Sequence, residues 1–262
     1  DVESRGLGDV YKRQPMYLTI QGIVLRVTDY NDKDALLTML TRRHGRLTVK
    51  ARGLRRKNSP LIAPCQLLSY GEFTLFEYRG QYTINEAQSI ELFTPLRRDL
   101  TKLSLGTYFA QVSEVLSQED MPNPELQSLL LNCLYALSRL DLPESQVKAV
   151  FELRAACLSG YTPDLTGCHV CGSQTPERFD LSAGMLECRN CRSPESNGIR
   201  MPVPPSVLEA MRYICYCDSK KLFSFQAGED TLQQLSEVTE AYLATQLERG
   251  FSTLDFYKSL LI

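Results

Sequence analysis

The chain is poor in the groups that most acid–base chemistry uses. Its 262 residues include two histidines, His44 and His169. It carries no P-loop, no G-x-S-x-G elbow, no H-E-x-x-H pair and no dinucleotide fingerprint. Glu119 and Asp120 fall between two helical patterns and read as solvated acids. These absences argue against an enzyme. No apolar run approaches the roughly 20 residues needed to span a bilayer. No secretory signal is visible before Pro15, so a cytoplasmic location is expected. Internal repeats and low-complexity runs are absent as well.

Acidic residues are scarce in one region. Residues 16–60 hold ten Lys/Arg against three Asp/Glu, whereas residues 61–262 hold 16 against 25. The overall charge of −2 hides this asymmetry. Eight cations, Arg42, Arg43, Arg46, Lys50, Arg52, Arg55, Arg56 and Lys57, lie in one window without an acid. A solvated charged loop is the bland reading. An unbalanced basic segment on an acidic chain points instead to a polyanion, and Arg suits bidentate contact with phosphate.

Nine cysteines are present. Disulfides are rare in a cytosolic chain, so clustered cysteines suggest metal. Cys168 and Cys171 form one C-x-x-C pair, and Cys188 and Cys191 form another after sixteen intervening residues. Each pair brings two thiolates to one ion, and two pairs complete a tetrahedron suited to structural Zn²⁺, one per chain. Gly172 fits a knuckle turn that needs positive φ. Redox-active pairs are the competing reading. His169, inside the first knuckle, is expected to face solvent. Cys133 and Cys157 read as core fillers. Cys215 and Cys217, spaced C-x-C, lack a second pair.

The expected fold class is α+β. Residues 1–15 show no period, and Asp9 to Gln14 resemble translated sequencing-adapter remnants. This stretch is taken as a non-native leader, with order beginning at Met16. Residues 16–94 read as about five short strands, with a hairpin turning at His44-Gly45 and a turn at Arg79-Gly80. An OB-type small barrel fits, and an SH3-like barrel is close behind. Phe73, Phe76, Tyr78 and Tyr82 on the later strands could fill the barrel or stack on bases, and alternation turns one of Phe73 and Phe76 outward.

Residues 95–262 read as a helical domain. Leu100, Leu103, Tyr108, Phe109, Val112, Val115 and Leu116 make one stripe. Leu126, Leu129, Leu130, Cys133, Leu134, Leu137 and Leu140 make another. Further helices are expected over 144–158, 205–216 and 229–249. Residues 161–201 follow neither period and hold the zinc module.

Together, three segments resemble the bacterial DNA repair RecO family: Ile20 to Arg26 (IQGIVLR), Gly45 to Arg56 (GRLTVKARGLRR) and the two cysteine pairs. The tail from Phe251 to Leu260 resembles the family's C-terminus. The resemblance covers Met16 to Ile262. It implies a recombination mediator, associated with the nucleoid, that binds single- and double-stranded DNA and anneals complementary strands. It also implies work with RecR and the C-terminal tail of the single-stranded DNA-binding protein, loading of the recombinase at gaps, and no nucleotide hydrolysis. A basic rim for that tail could come from Arg97, Arg98, Lys102, Arg139 or Arg154. Some members lack the cysteines, so zinc is inferred from this chain's own residues. Two other readings stand beside this one: a zinc-ribbon RNA-binding or transcription-associated factor, and an enzyme of nucleic-acid metabolism.

Overall fold

The computed structural model describes residues 16–191 and 198–261. The expected leader, 1–15, lies outside the described residues. The chain divides into two compact units, 1–127 and 128–262.

The first unit is built on a closed five-stranded barrel. Its strands are β1 (Met16–Asp29), β2 (Ala35–Thr41), β3 (Gly45–Ala51), β4 (Tyr70–Tyr78) and β5 (Gln81–Glu91). Their order around the barrel is β1-β2-β3-β5-β4, closed by β1 against β4. Every pairing is antiparallel except β3 with β5, the Greek-key order of an OB barrel. Alternation explains the core. Leu47, Val49 and Ala51 point inward from β3, while Arg46, Thr48 and Lys50 point outward. Ile20, Val24, Leu37, Met39, Phe73, Leu75 and Ile84 complete the interior. Of the two phenylalanines left open by alternation, Phe73 is inside and Phe76 faces out. Leu61 and Cys65, from the β3–β4 loop, close one end of this core.

Helix α1 (Leu100–Leu116) follows a 3-10 turn at Leu96–Arg98 and is capped by Asp99, which accepts from the Lys102 amide. It packs on β1 and β2. The expected single stripe is corrected here. Leu100 is exposed, and Ser104, Leu105, Gly106 and Ala110 are buried along with Tyr108, Phe109 and Val112. Small residues let the helix bury several faces, which a search for one apolar stripe does not capture. Beyond it, residues 118–121 lie on the β2–β3 turn: the Arg46 amide donates to the Gln118 carbonyl. Gly45, at φ 62°, has no room for a Cβ, which would meet the carbonyl oxygens of Gln118 and Met121 at 2.5 Å. Helix α2 (Pro124–Arg139) begins in this unit, where Gln127 donates to the Leu40 carbonyl.

In the second unit the remainder of α2 buries Leu129, Leu130, Cys133, Leu134 and Leu137. Helix α3 (Glu144–Leu158) is the central element, packed by α4 (Pro205–Tyr216) and α5 (Glu229–Gln246). A last helix, α6 (Ser252–Ser259), buries Leu254 and Tyr257. Residues 161–201, aperiodic in sequence, hold a small sheet of order β6-β8-β7-β9. Its strands are β6 (Asp164–Cys168), β7 (Arg178–Asp180), β8 (Met185–Glu187) and β9 (Arg200–Pro202). Three of these strands are only three residues long, too short to show alternation, which is why the sequence reads as loop. The sheet is fixed to α5 through Phe179 against Tyr242, ring centroids 5.1 Å apart, and by Gln246, which donates to the Leu181 carbonyl. Among the described residues no helix is long and apolar enough to cross a membrane.

Candidate nucleic-acid interface and metal centre

The β2–β3 hairpin divides the eight expected cations between its two ends. Arg42 and Arg43 form the turn with His44. Arg52, Arg55, Arg56 and Lys57 follow β3 into the β3–β4 loop. Six residue steps separate the Thr41–Gly45 pair from the Ala35–Ala51 pair, a distance of about 20 Å. Arg46 and Lys50 lie between, on the outward face of β3.

These cations differ in how they are held. Arg46 donates to the Glu114 carbonyl at 2.9 Å. Lys50 stands 3.4 Å from the Asp34 carboxylate and 4.3 Å from the Tyr30 ring centroid. Arg55 is paired with Asp29. Arg42, Arg43, Arg52, Arg56 and Lys57 are exposed and make no ion pair among the described residues. Asp34 anchors the far end by accepting from the Gly53 amide at 2.9 Å, and the Arg55 amide donates to the Lys33 carbonyl. The Gly53 amide, the Asn31 side chain and Lys50 hold the Asp34 carboxyl below its ordinary range. The sequence reading missed Lys33, which this contact places beside Arg55. It also missed Arg79, whose guanidinium lies 5.0 Å over the exposed Tyr78 ring in the β4–β5 turn. Both are isolated cations in the sequence, so density alone does not mark them.

At the turn end, Arg42, Arg43 and His44 line a cleft of about 450 Å³ with Thr19, Ile20, Gln21, Thr41 and Glu72. Glu72 places one acid on its wall.

The two cysteine pairs converge. Cys168 ends β6 and Cys188 follows β8; these strands are parallel neighbours, so both knuckles leave the sheet in the same direction. The four Sγ atoms lie within 4.8 Å of one another, with Cys171 and Cys188 at 3.7 Å. Four sulfurs around one zinc stand about 3.8 Å apart, so the set fits a tetrahedral ion. Gly172 has φ 72° and its amide donates to the Cys168 carbonyl, as the knuckle requires. The Cys188 amide donates to Cys168 Sγ at 3.3 Å. Burial pushes the Cys168 thiol up, but amides including those of Cys171 and Cys188 outweigh it and bring the thiol to about 6. Such amides favour thiolate, the ligating form. His169 is exposed. Cys157 and Cys215 meet separately, Sγ atoms 3.7 Å apart. Among the described residues the four-cysteine set is the group of three or more ligating side chains that converges.

Of the cations expected to rim a peptide pocket, Arg97 donates to the Leu67 and Leu92 carbonyls, and Arg154 to those of Ile214 and Cys215. Both serve the backbone. A cleft of about 320 Å³ in the second unit is lined by Asn132, Tyr135, Leu140, Ser219, Lys220 and Phe223.

Fold and site define an OB-barrel protein whose helical unit carries a four-cysteine module able to hold a metal ion. Residues 16–93 match the family described as recombination protein O N terminal, and residues 97–255 match recombination protein O C terminal. The chain is 33% identical over 250 residues to a DNA repair protein RecO of Acetivibrio thermocellus, covering 93% of this chain and 97% of the relative. One from Alkaliphilus metalliredigens is 29% identical over 248 residues, covering 94% and 100%. One from Bacillus subtilis is 29% identical over 228, covering 87% and 88%. The chain belongs to the RecO family of DNA repair proteins.

Proposed function

We propose that this chain is a recombination mediator that binds single- and double-stranded DNA through its barrel and anneals complementary strands by binding energy alone. The observation that carries this reading is a set of five cations, Arg42 and Arg43 in the β2–β3 turn and Arg52, Arg56 and Lys57 in the β3–β4 loop, exposed and without an ion pair among the described residues, on a fold used for oligonucleotides. Neutralised strands held close repel each other less and meet at raised local concentration, which favours pairing. The chain has no nucleotide-binding loop, so it acts without nucleotide hydrolysis and is not an enzyme. The four cysteines hold a structural Zn²⁺ that organises the module and leaves no open position for catalysis.

RecR and the single-stranded DNA-binding protein are the proposed partners, and recombinase loading at gaps is the proposed outcome. The acidic, phenylalanine-ended tail of the latter needs an apolar pocket with a basic rim. The cleft of Tyr135, Leu140 and Phe223 with Lys220 supplies both.

The test is annealing of DNA coated with intact single-stranded DNA-binding protein or with a form lacking its last residues. Faster annealing of the intact complex, with no added nucleotide, is expected. Equal rates and affinities would remove the docking step. No annealing of bare strands would overturn the mediator reading.

A further inference from the structure

Tyr17 and Phe76 are cross-strand partners on β1 and β4. Their ring centroids are 5.6 Å apart at 60°. Both point outward: Leu75 beside Phe76 is in the core, and Tyr17 is 64% exposed. Tyr17 is exposed and Phe76 half-buried on this outer face, and a paired apolar surface of this kind gains from a ligand that covers it.

Their position relative to the cations suggests what does. On the same outer face, the next pairs along β1 and β4 are Thr19 with Thr74, then Gln21 with Glu72. Thr19, Gln21 and Glu72 line the cleft that holds Arg42, Arg43 and His44. Four residue steps, about 13 Å, separate Tyr17 from Gln21. In the other direction Phe76 pairs with Thr83 on β5, and Thr83 pairs with Lys50 on β3. Two strand spacings, about 10 Å, bring the row to Lys50, next to the second group of cations. The ring pair thus lies between the two basic ends of the hairpin.

We propose that Tyr17 and Phe76 form a base-stacking subsite for single-stranded DNA, with the strand's phosphates reaching Arg42 and Arg43 on one side and the Lys50–Lys57 group on the other. The proposal rests on the DNA-binding reading above and deepens it. Rings offer a face to any base, so the subsite is sequence-tolerant. In a duplex the base faces are already stacked on one another, so the subsite takes single strands and leaves duplex to the cations.

The experiment uses the full chain, an oligothymidine and a duplex of equal length. Tyr17→Ala should weaken oligothymidine binding by roughly five- to a hundred-and-fiftyfold, the range for losing one stacked base. Duplex affinity and the salt slope should not change, because every cation that meets a phosphate is still in place. Tyr17→Phe should bind like the parent. Phe76→Leu, which keeps apolar bulk but removes the ring, should repeat the single-strand loss. Oligothymidine affinity within twofold of the parent in both Tyr17→Ala and Phe76→Leu overturns the subsite while the DNA-binding reading stands. A parent chain that binds neither DNA overturns both. An equal loss on duplex also overturns the subsite, since it would show the rings supporting the fold or the phosphate-binding cations.

Discussion

Five cations of the barrel's hairpin window and two buried ones of the helical unit live in opposite circumstances. In the hairpin window Arg42, Arg43, Arg52, Arg56 and Lys57 stand in solvent without an ion pair among the described residues. In the helical unit Lys148 is 4% exposed, bonded to Glu152 at 3.0 Å and Glu240 at 2.8 Å, and donates to Ser236 as well. Glu152 is fully buried and also accepts from Thr239. Arg200 lies 2.7 Å from Glu187 and 3.5 Å from Asp180, both buried. The same residue types therefore do different work. Exposed unpaired charge does little for the fold and remains available to a ligand; buried charge is tolerated only because it is paired. Charge density along the sequence marks the first kind and is blind to the second.

The largest effect should come from the four-cysteine module, where bonds to the proposed zinc would fall outside both categories. Cys168→Ser should release the ion, because structural zinc binding and local folding are linked at roughly 10–16 kcal/mol in small zinc domains. The strands β6–β9 should then lose protection in amide exchange while β1–β5 keep theirs. Metal analysis of the unmodified protein is expected to return one zinc per chain, and none would end the assignment.

Lys148→Ala is the next test. It leaves Glu152 buried without its cation, and removing one partner of a buried pair costs about 3–5 kcal/mol. Burial already pushes the Glu152 carboxyl up, against the pull of Lys148. A loss under about 1 kcal/mol in chemical unfolding would mean that the helical unit's charges are as dispensable as surface ones, and the contrast with the barrel would collapse.

Neutralising Arg42, Arg43 and Arg52 together tests the other side. Stability should move by less than about 0.5 kcal/mol, as for surface substitutions elsewhere. The log–log salt slope for single strands should shrink by about 0.7 for each phosphate no longer neutralised, and binding should weaken alike on every sequence. Unchanged slope with lowered stability would invert the comparison: those arginines would then be structural.

Much of this was legible in the sequence. Alternation in Gly45 to Ala51 and the i, i+3, i+4 stripe of Leu126 to Leu137 are strong periodic signals, and both elements appear at those positions. The four cysteines are readable because their spacing carries the geometry. Lys148 and Glu152 were not legible: an i, i+4 pair looks like a solvated helix face until α5 is packed over it. The small strands around the cysteines were hidden too, since pairing of β6 with β8 joins residues about 20 positions apart. The separation of the cations into two groups was equally hidden, because it depends on the register of one hairpin.

The smallest effect concerns how the barrel holds its second group of cations. Asp34 links three of the pieces: it accepts from the Gly53 amide and the Asn31 side chain, and it faces Lys50. These partners lower its pKa from the ordinary 3.8, with the Gly53 amide the largest cause. A carboxyl depressed in the folded state adds stability above its unfolded value and loses it as pH falls through the folded one. The tether should therefore hold at neutral pH and fail only on the acid side of 3.8. Asp34 is only partly buried, so water screens it and the gain to global stability is small. Its effect should appear instead in the loop that carries Arg52 to Lys57. In Asp34→Ala, amide exchange at Gly53 and Arg55 should quicken at neutral pH, while Val49 and Leu37 in the barrel wall stay protected. DNA affinity should fall by severalfold at most, because the cations remain but are no longer held in place. Unchanged exchange at Gly53 would show that the loop is positioned without Asp34, through Leu61 and Cys65 in the barrel end. The second group of cations would then be set by apolar packing and not by Asp34.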